Sequence, residues 1–194
     1  MRRAEEAEIV TLAGVGADFT IGRDRHEPKS GSPFDAFRNI SSLNKTIAEF
    51  PGVLITGVRD RAFGLGVGLI LRSDIAIVAA DARSALDEVK LGIAPMFVME
   101  QILEYCRRNA HSIFILTGRE FGADEALQIG LVSRVVGPND LDGTVGNSSH
   151  AAFARPSRRS RLQALSACRW QNAARGPLGL RACGTHAICH GDTE

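Results

Sequence analysis

The sequence has no apolar run long enough to cross a lipid bilayer, and its net charge at pH 7 is only +1. Its first ten residues, MRRAEEAEIV, include two arginines but lack the apolar segment of a secretory signal peptide. Four cysteines in 194 residues do not form the pattern of a disulfide framework. We therefore expect a cytoplasmic protein in a reducing setting, with no membrane or nucleic-acid partner.

Lysine is absent from residues 143–194, which contain seven arginines and only two acidic residues. The preceding 142 residues contain sixteen basic and twenty acidic residues, a net charge of −4. Apolar periodicity also fades after Leu141, so the sequence predicts a folded core over residues 1–142 and an atypical, poorly structured tail over residues 143–194. Such a tail is typical both of a disordered extension and of a shifted reading frame in a GC-rich gene.

Apolar residues before residue 142 recur with two different spacings. From Phe34 to Phe50 the spacing is three or four residues, which predicts one apolar helix face ended by Pro51-Gly52. Short β-branched runs predict strands, and strands alternating with helices indicate an α/β fold. The predicted strands are Ile9–Ala13, Val53–Val58, Asp74–Ala80 and Leu131–Val136. Further helices are predicted after the glycines at 64–68 and at Met96–Arg107, His111–Thr117 and Ala123–Ile129.

Three short motifs follow one another in this pattern. The first is Phe19-Thr20-Ile21-Gly22-Arg23-Asp24, after a predicted strand. The second is the glycine-spaced turn Gly64-Leu65-Gly66-Val67-Gly68, which opens an apolar helix, and the third is Leu86–Gly92 followed by Pro95. In this order and spacing the motifs resemble the crotonase (enoyl-CoA hydratase/isomerase) family over about residues 9–141. The resemblance implies a crotonase-like ββα superhelix, truncated at its N-terminus, that acts on acyl-CoA thioesters.

Two backbone N–H groups bind the thioester oxygen in that family. The resemblance places them at Arg23, after Gly22, and at Leu65, between two glycines. Such donors stabilise the negative charge that develops on the oxygen, and glycines let the backbone approach the ligand. For the glycines at 64, 66 and 68, close helix packing is the alternative interpretation. The positions expected to contact the CoA ester are Ile21, Gly22, Asp24, Gly64 and Gly66.

Glu88 lies where hydratases and isomerases of the family have a catalytic glutamate. Its apolar neighbours could desolvate it and raise its pKa, which suits proton transfer near neutrality, although a lone glutamate is usually a solvated surface group. Many hydratases of the family use a second glutamate, and this chain has Gly68 at that position. The resemblance therefore favours double-bond isomerisation by one carboxylate over hydration by two. Asp124 and Glu125 are other candidates, but the start of a helix explains them more simply.

Several other patterns in the sequence are candidate binding sites. The cluster Arg23, Arg25, His26 and Lys29 could meet a CoA phosphate, or could form a solvated loop. A dinucleotide motif from Gly64 fails because Leu69 stands where its last glycine should be. The spacing of Cys183, His186, Cys189 and His190 is not a common zinc pattern, so no metal is expected. No cofactor is expected apart from the coenzyme A carried by the substrate.

The resemblance also sets expectations about assembly. Crotonases have an N-terminal hairpin and helix before the first motif, and C-terminal helices that complete the acyl pocket and the trimer contacts. This chain has no equivalent of the N-terminal hairpin and helix, so an exposed sheet edge is expected. Residues 143–194 do not resemble the C-terminal helices of the family. A homotrimer or hexamer is expected if the fold is intact. The alternative is a non-catalytic remnant that acts at most as an assembly partner.

Asp60 also departs from the family pattern, in which a glycine is usual a few residues before the second backbone donor.

Overall fold

The computed structural model describes residues 9–22, 32–95, 98–99, 101–102 and 108–153. Within these ranges a four-stranded parallel sheet has the order β1-β2-β4-β7, and a smaller sheet has the order β3-β5-β6. Strands β3 and β5 are parallel, and β5 and β6 are antiparallel. The strands are β1 (Ile9–Ala13), β2 (Val53–Val58), β3 (Arg61–Phe63), β4 (Ile75–Ala79), β5 (Arg83–Ala85), β6 (Phe121–Gly122) and β7 (Arg134–Val136). The helices are α1 (Pro33–Ala48), α2 (Leu65–Leu71), α3 (Arg108–Thr117), α4 (Ala123–Gln128) and α5 (Leu141–Phe153).

The α/β prediction is confirmed, and the four strands expected from β-branched runs are all present. β7 begins at Arg134 rather than at Leu131. Residues 98–99 and 101–102 are helical, and the rest of the helix predicted at Met96–Arg107 lies outside the described residues. The three short strands of the smaller sheet were missed, because two or three residues give no measurable periodicity.

The larger sheet is covered on both faces, which explains why every residue of β2 is buried. On one face, Val58, Ala76 and Val78 pack in a cluster that includes Val67 and Ile70 of α2. On the other face lies the cluster of Val53, Ile55, Ile77, Ala79, Leu141 and Val145.

Helix α5 corrects the boundary expected at residue 142. It runs from Leu141 to Phe153, and its buried residues Leu141 and Val145 pack on the sheet. Gly57 of β2 makes room for this contact, since a Cβ there would stand 3.0 Å from Val145 Cγ2. The sequence obscured this helix because glycine, serine and alanine interrupt its apolar spacing. Residues 154–194, the remainder of the predicted tail, lie outside the described part.

Helix α1 forms where the apolar spacing predicted it. Ser32 caps it: its hydroxyl accepts from the Asp35 N–H at 3.3 Å, and its own N–H donates to the Asp35 carboxylate at 3.1 Å. The predicted apolar face is only partly covered by described residues, because Phe37 is 45% exposed and Leu43 is 40% exposed. In the described part of the chain, no helix has the length and apolarity needed to cross a membrane.

Candidate active site

The residues Asp18–Gly22, called here the arm, lie along β3. The Phe19 and Thr20 N–H groups donate to the Arg59 and Arg61 carbonyls, each at 3.0 Å. The Phe63 N–H donates back to the Thr20 carbonyl at 2.9 Å, and Thr20 forms a parallel bridge with Ala62. The arm is therefore held by main-chain hydrogen bonds to one strand.

Gly22 turns the arm at its far end. Its φ of +87° is left-handed, which glycine adopts readily, and its N–H donates to Thr20 Oγ1 at 3.2 Å. Ile21, beside it, exposes 55% of its surface. Arg23 and Asp24, the next two predicted site residues, lie outside the described residues, as does the charged cluster up to Lys29.

The glycine-spaced turn meets the arm directly. A Cβ on Gly66 would stand 2.6 Å from Thr20 Cγ2 and 3.7 Å from Ala62 Cβ, so the two segments approach this closely only because residue 66 has no side chain. Gly64 precedes α2 with φ +54°, and its N–H donates to the Ala85 carbonyl at 2.9 Å. Leu65 is the first residue of α2, so its N–H has no partner within the helix, and it finds no acceptor among the described residues.

Glu88 places its carboxyl group over this turn. It lies in a short 3₁₀ helix, Asp87–Leu91, which follows β5. A Cβ on Gly64 would stand 2.7 Å from Glu88 Oε1 and 3.2 Å from its Cδ, so the carboxyl packs against bare backbone. The structure thus brings Gly64, Leu65 and Glu88 together.

The environment of Glu88 differs from that of a surface carboxylate. Oε2 is buried and has no hydrogen-bond partner among the described residues. Burial raises the pKa of Glu88 above its ordinary value; its own backbone N–H opposes this, and the nearby negative charge of Asp87 adds to it. The group is therefore suited to accept and release a proton closer to neutral pH than a free glutamate.

No second carboxylate stands beside Glu88 at the position expected from the hydratase pattern. That position holds Gly68 of α2, and a Cβ there would meet Val98 Cγ2 at 3.3 Å. Of the other candidates, Glu125 binds Arg119, whose Nη1 donates to it at 3.0 Å, and this hydrogen bond lowers the Glu125 pKa. Asp124 is exposed in the first turn of α4, as a helix start explains.

Two features of the site were not predicted. Thr20 joins its two halves, because its hydroxyl accepts from Gly22 and its methyl packs on Gly66. Asp18 and Arg61 form a bidentate ion pair at 2.6 and 2.7 Å that ties the arm to β3. These residues are 43 positions apart, so only the strand pairing reveals their contact.

An open cavity of about 670 Å³ lies at the carboxyl ends of β2 and β4. Three arginines and three acidic residues contribute to its lining, so its charges compensate one another. Glu88 and Leu65 are not among its lining residues. The charged lining residues are Arg59, Asp60, Arg61, Asp81, Arg83 and Glu120. Among the described residues, no group of three His, Cys, Asp or Glu side chains could hold a metal ion.

The sequence of this chain is similar to those of known proteins. The family model described as enoyl-CoA hydratase/isomerase matches residues 1–161. A short-chain-enoyl-CoA hydratase of Clostridium acetobutylicum is 32% identical over 151 residues, covering 72% of this chain and 55% of that protein. The carnitinyl-CoA dehydratase of Escherichia coli K12 is 39% identical over 150 residues, covering 70% of this chain and 54% of that protein. This chain thus spans about half the length of these curated relatives.

Solved structures show the same fold. An enoyl-CoA hydratase of Mycobacterium smegmatis superposes with a TM-score of 0.77 at 24% identity, covering 89% of this chain and 69% of that one. A putative enoyl-CoA hydratase of Thermobifida fusca, solved in complex with CoA, superposes with a TM-score of 0.74 at 27% identity, covering 90% and 71%.

Proposed function

Because this chain belongs to the enoyl-CoA hydratase/isomerase family, we propose that it acts on acyl-CoA thioesters and isomerises the double bond of 3-enoyl-CoA substrates. One observation carries the proposal: the Glu88 carboxyl lies against Gly64, the residue that precedes Leu65, with Oε2 buried and without a partner among the described residues. A carboxyl group in this position can reach a substrate whose thioester oxygen binds the Leu65 N–H.

In the proposed reaction, the Glu88 carboxylate removes a proton from carbon 2 of the 3-enoyl thioester. The electron pair moves to the thioester oxygen, where the N–H groups of Leu65 and Arg23 stabilise the negative charge. Glu88 then returns the proton to carbon 4, and the double bond comes to lie between carbons 2 and 3. The reaction consumes no water and no cofactor, and Ile21, Gly22, Asp24 and Gly66 shape the CoA-ester site.

Isomerisation is favoured over hydration because the position of a second carboxylate holds Gly68, which faces Val98. The names of the relatives favour the other reaction, since they are a hydratase and a dehydratase. A non-catalytic remnant is the alternative from another class, and it is motivated by Gly68 at the position of the second carboxylate. We further propose that the protein is cytoplasmic and forms a homotrimer or hexamer. Analytical ultracentrifugation can test the oligomeric state.

The experiment supplies purified chain of confirmed mass with 3-enoyl-CoA and with 2-enoyl-CoA, and identifies the products by mass and chromatography. We expect 2-enoyl-CoA to form from the 3-enoyl ester faster than the 3-hydroxy product forms from the 2-enoyl ester. Faster hydration would assign the hydratase reaction instead. Calorimetry that detects no CoA-ester binding would favour the remnant.

A further inference from the structure

The arm is only partly buried, since Asp18, Thr20 and Gly22 are half-buried and Ile21 is exposed, which raises the question of what fixes it. Phe19 is its only buried apolar residue, at 8% exposure. Three main-chain hydrogen bonds join the arm to the segment from Arg59 to Phe63. Two further contacts involve side chains: Thr20 binds Gly22 at one end of the arm, and Arg61 binds Asp18 at the other end.

The Arg61–Asp18 contact has the geometry of a strong pair. Nε donates to one carboxylate oxygen at 2.6 Å and Nη2 to the other at 2.7 Å, so the planar guanidinium fixes the orientation of the carboxylate as well as its distance. The hydrogen bonds from Arg61 lower the pKa of Asp18, which keeps it ionised. The Arg61 carbonyl also accepts from the Thr20 N–H, so this one residue holds the arm through both its side chain and its main chain.

We propose that Arg61 is a positioning residue, which through Asp18 holds the arm in register on β3 and so keeps the arm, up to Gly22, ordered for thioester binding. The second half of this proposal rests on the proposed function. The first half concerns only the order of the arm, and it can be measured without any substrate.

A neighbouring ion pair provides a matched control. Arg59 Nη2 donates to Asp142 Oδ1 at 2.6 Å, and the two arginine side chains are similarly exposed, at 42% and 47%. This pair joins the end of β2 to α5 and does not include the arm. Arg59→Met therefore removes an arginine–aspartate ion pair that has a single hydrogen bond, and it leaves the arm's own contacts in place.

The test compares amide hydrogen exchange in the parent chain, Arg61→Met, Arg61→Lys and Arg59→Met. In Arg61→Met we expect exchange at the Thr20 and Phe63 amides to accelerate about fivefold, the scale of an exposed ion pair. Arg61→Lys should recover part of the protection because it keeps the charge but loses the bidentate geometry. In Arg59→Met those two amides should exchange as in the parent. Unchanged exchange in Arg61→Met, or equal acceleration in both methionine variants, would overturn the proposal.

Kinetics then test the link to the substrate. A loosened arm must be ordered before the thioester binds, so Arg61→Met should raise KM, by up to about fivefold, and leave kcat unchanged. Raising the salt to about 1 M should bring the parent KM towards that of the variant, because the Debye length falls to about 3 Å. If the parent turns over no thioester, the proposed function fails, while the exchange data still decide whether Arg61 orders the arm. Selective exchange with an unchanged KM would refute the link to the substrate.

Discussion

The Asp18–Gly22 arm and helix α2 meet at Thr20 and Gly66, but different forces hold them there. Helix α2 is fixed by burial, since Val67, Ile70 and Leu71 are at most 7% exposed. The arm buries one apolar residue, Phe19, and is otherwise fixed by hydrogen bonds and one ion pair. A packed helix resists small perturbations, whereas a hydrogen-bonded arm can be loosened one contact at a time. One side of the site is thus rigid and the other adjustable.

The largest effect is expected where the arm and α2 touch. In Gly66→Ala the new Cβ would stand 2.6 Å from Thr20 Cγ2, and Thr20 cannot rotate freely because its hydroxyl binds Gly22. We expect a loss of about 1–3 kcal/mol in the free energy of unfolding, measured by urea denaturation, together with loss of CoA-ester binding.

The matched control for this change is Gly68→Ala in the same helix. Its Cβ would meet Val98 Cγ2 at 3.3 Å, a contact that a small shift relieves. Alanine also favours a helix over glycine by about 1 kcal/mol, so the net change should be within about 1 kcal/mol. Equal destabilisation by the two substitutions would show that Gly66 is not a special contact between the arm and α2.

A smaller effect is expected at Asp60, which lies between Arg59 and Arg61, the two residues whose carbonyls accept from the arm. Asp60 has φ +47°, the only left-handed non-glycine residue in the described part of the chain. A left-handed residue costs about 1–2 kcal/mol, and glycine avoids this at an entropic cost of about 0.5–1 kcal/mol. Asp60→Gly should therefore raise the free energy of unfolding by up to about 1 kcal/mol in urea denaturation. A decrease would mean that the aspartate side chain contributes more than its backbone strain costs.

The smallest expected effect is a dependence of stability on pH. The pKa of Glu88 is raised in the folded state, mainly by burial, so the folded chain binds this proton more tightly than the unfolded chain does. The stabilising contribution of the neutral carboxyl is complete below the unfolded pKa and is lost as the pH rises through the folded pKa. Glutamine cannot ionise, so Glu88→Gln should gain stability relative to the parent over that pH interval.

Urea denaturation of both chains across that interval measures this difference. Asp74, whose pKa is also raised by burial, is present in both chains, so its contribution cancels. If the difference between the two chains stays constant with pH, or changes in the opposite direction, the Glu88 carboxyl is not desolvated as described.

The fold was predictable where spacing reflects burial. The runs at β2 and β4 and the glycines that open α2 gave the correct elements, because buried strands and close backbone contacts leave clear sequence patterns. Helix α5 was missed because only Leu141 and Val145 anchor it among small residues. Helix α1 formed as predicted, but Phe37 and Leu43 on its apolar face are partly exposed, because an apolar spacing shows what a helix could bury and not what covers it.

The candidate site, like the fold, was predictable only in part. The proximity of Glu88 to the glycine-spaced turn followed from the resemblance, and the structure places its carboxyl against Gly64. The roles assigned to Arg23 and Leu65 remain predictions, and Arg23 lies outside the described residues. Thr20 and the Arg61–Asp18 pair were not predictable, because their contacts depend on how the arm pairs with β3.

The most direct test of the central claim, that Glu88 moves the proton while backbone amides hold the thioester, is the kcat of Glu88→Gln. We expect kcat for 3-enoyl-CoA isomerisation to fall by about 10²–10⁴-fold, because glutamine cannot accept the proton, while calorimetry shows CoA-ester binding largely retained. Asp124→Asn, which removes an exposed carboxylate, is the matched control and should keep the parent rate. A Glu88→Gln variant that turns over as fast as the parent would contradict the account.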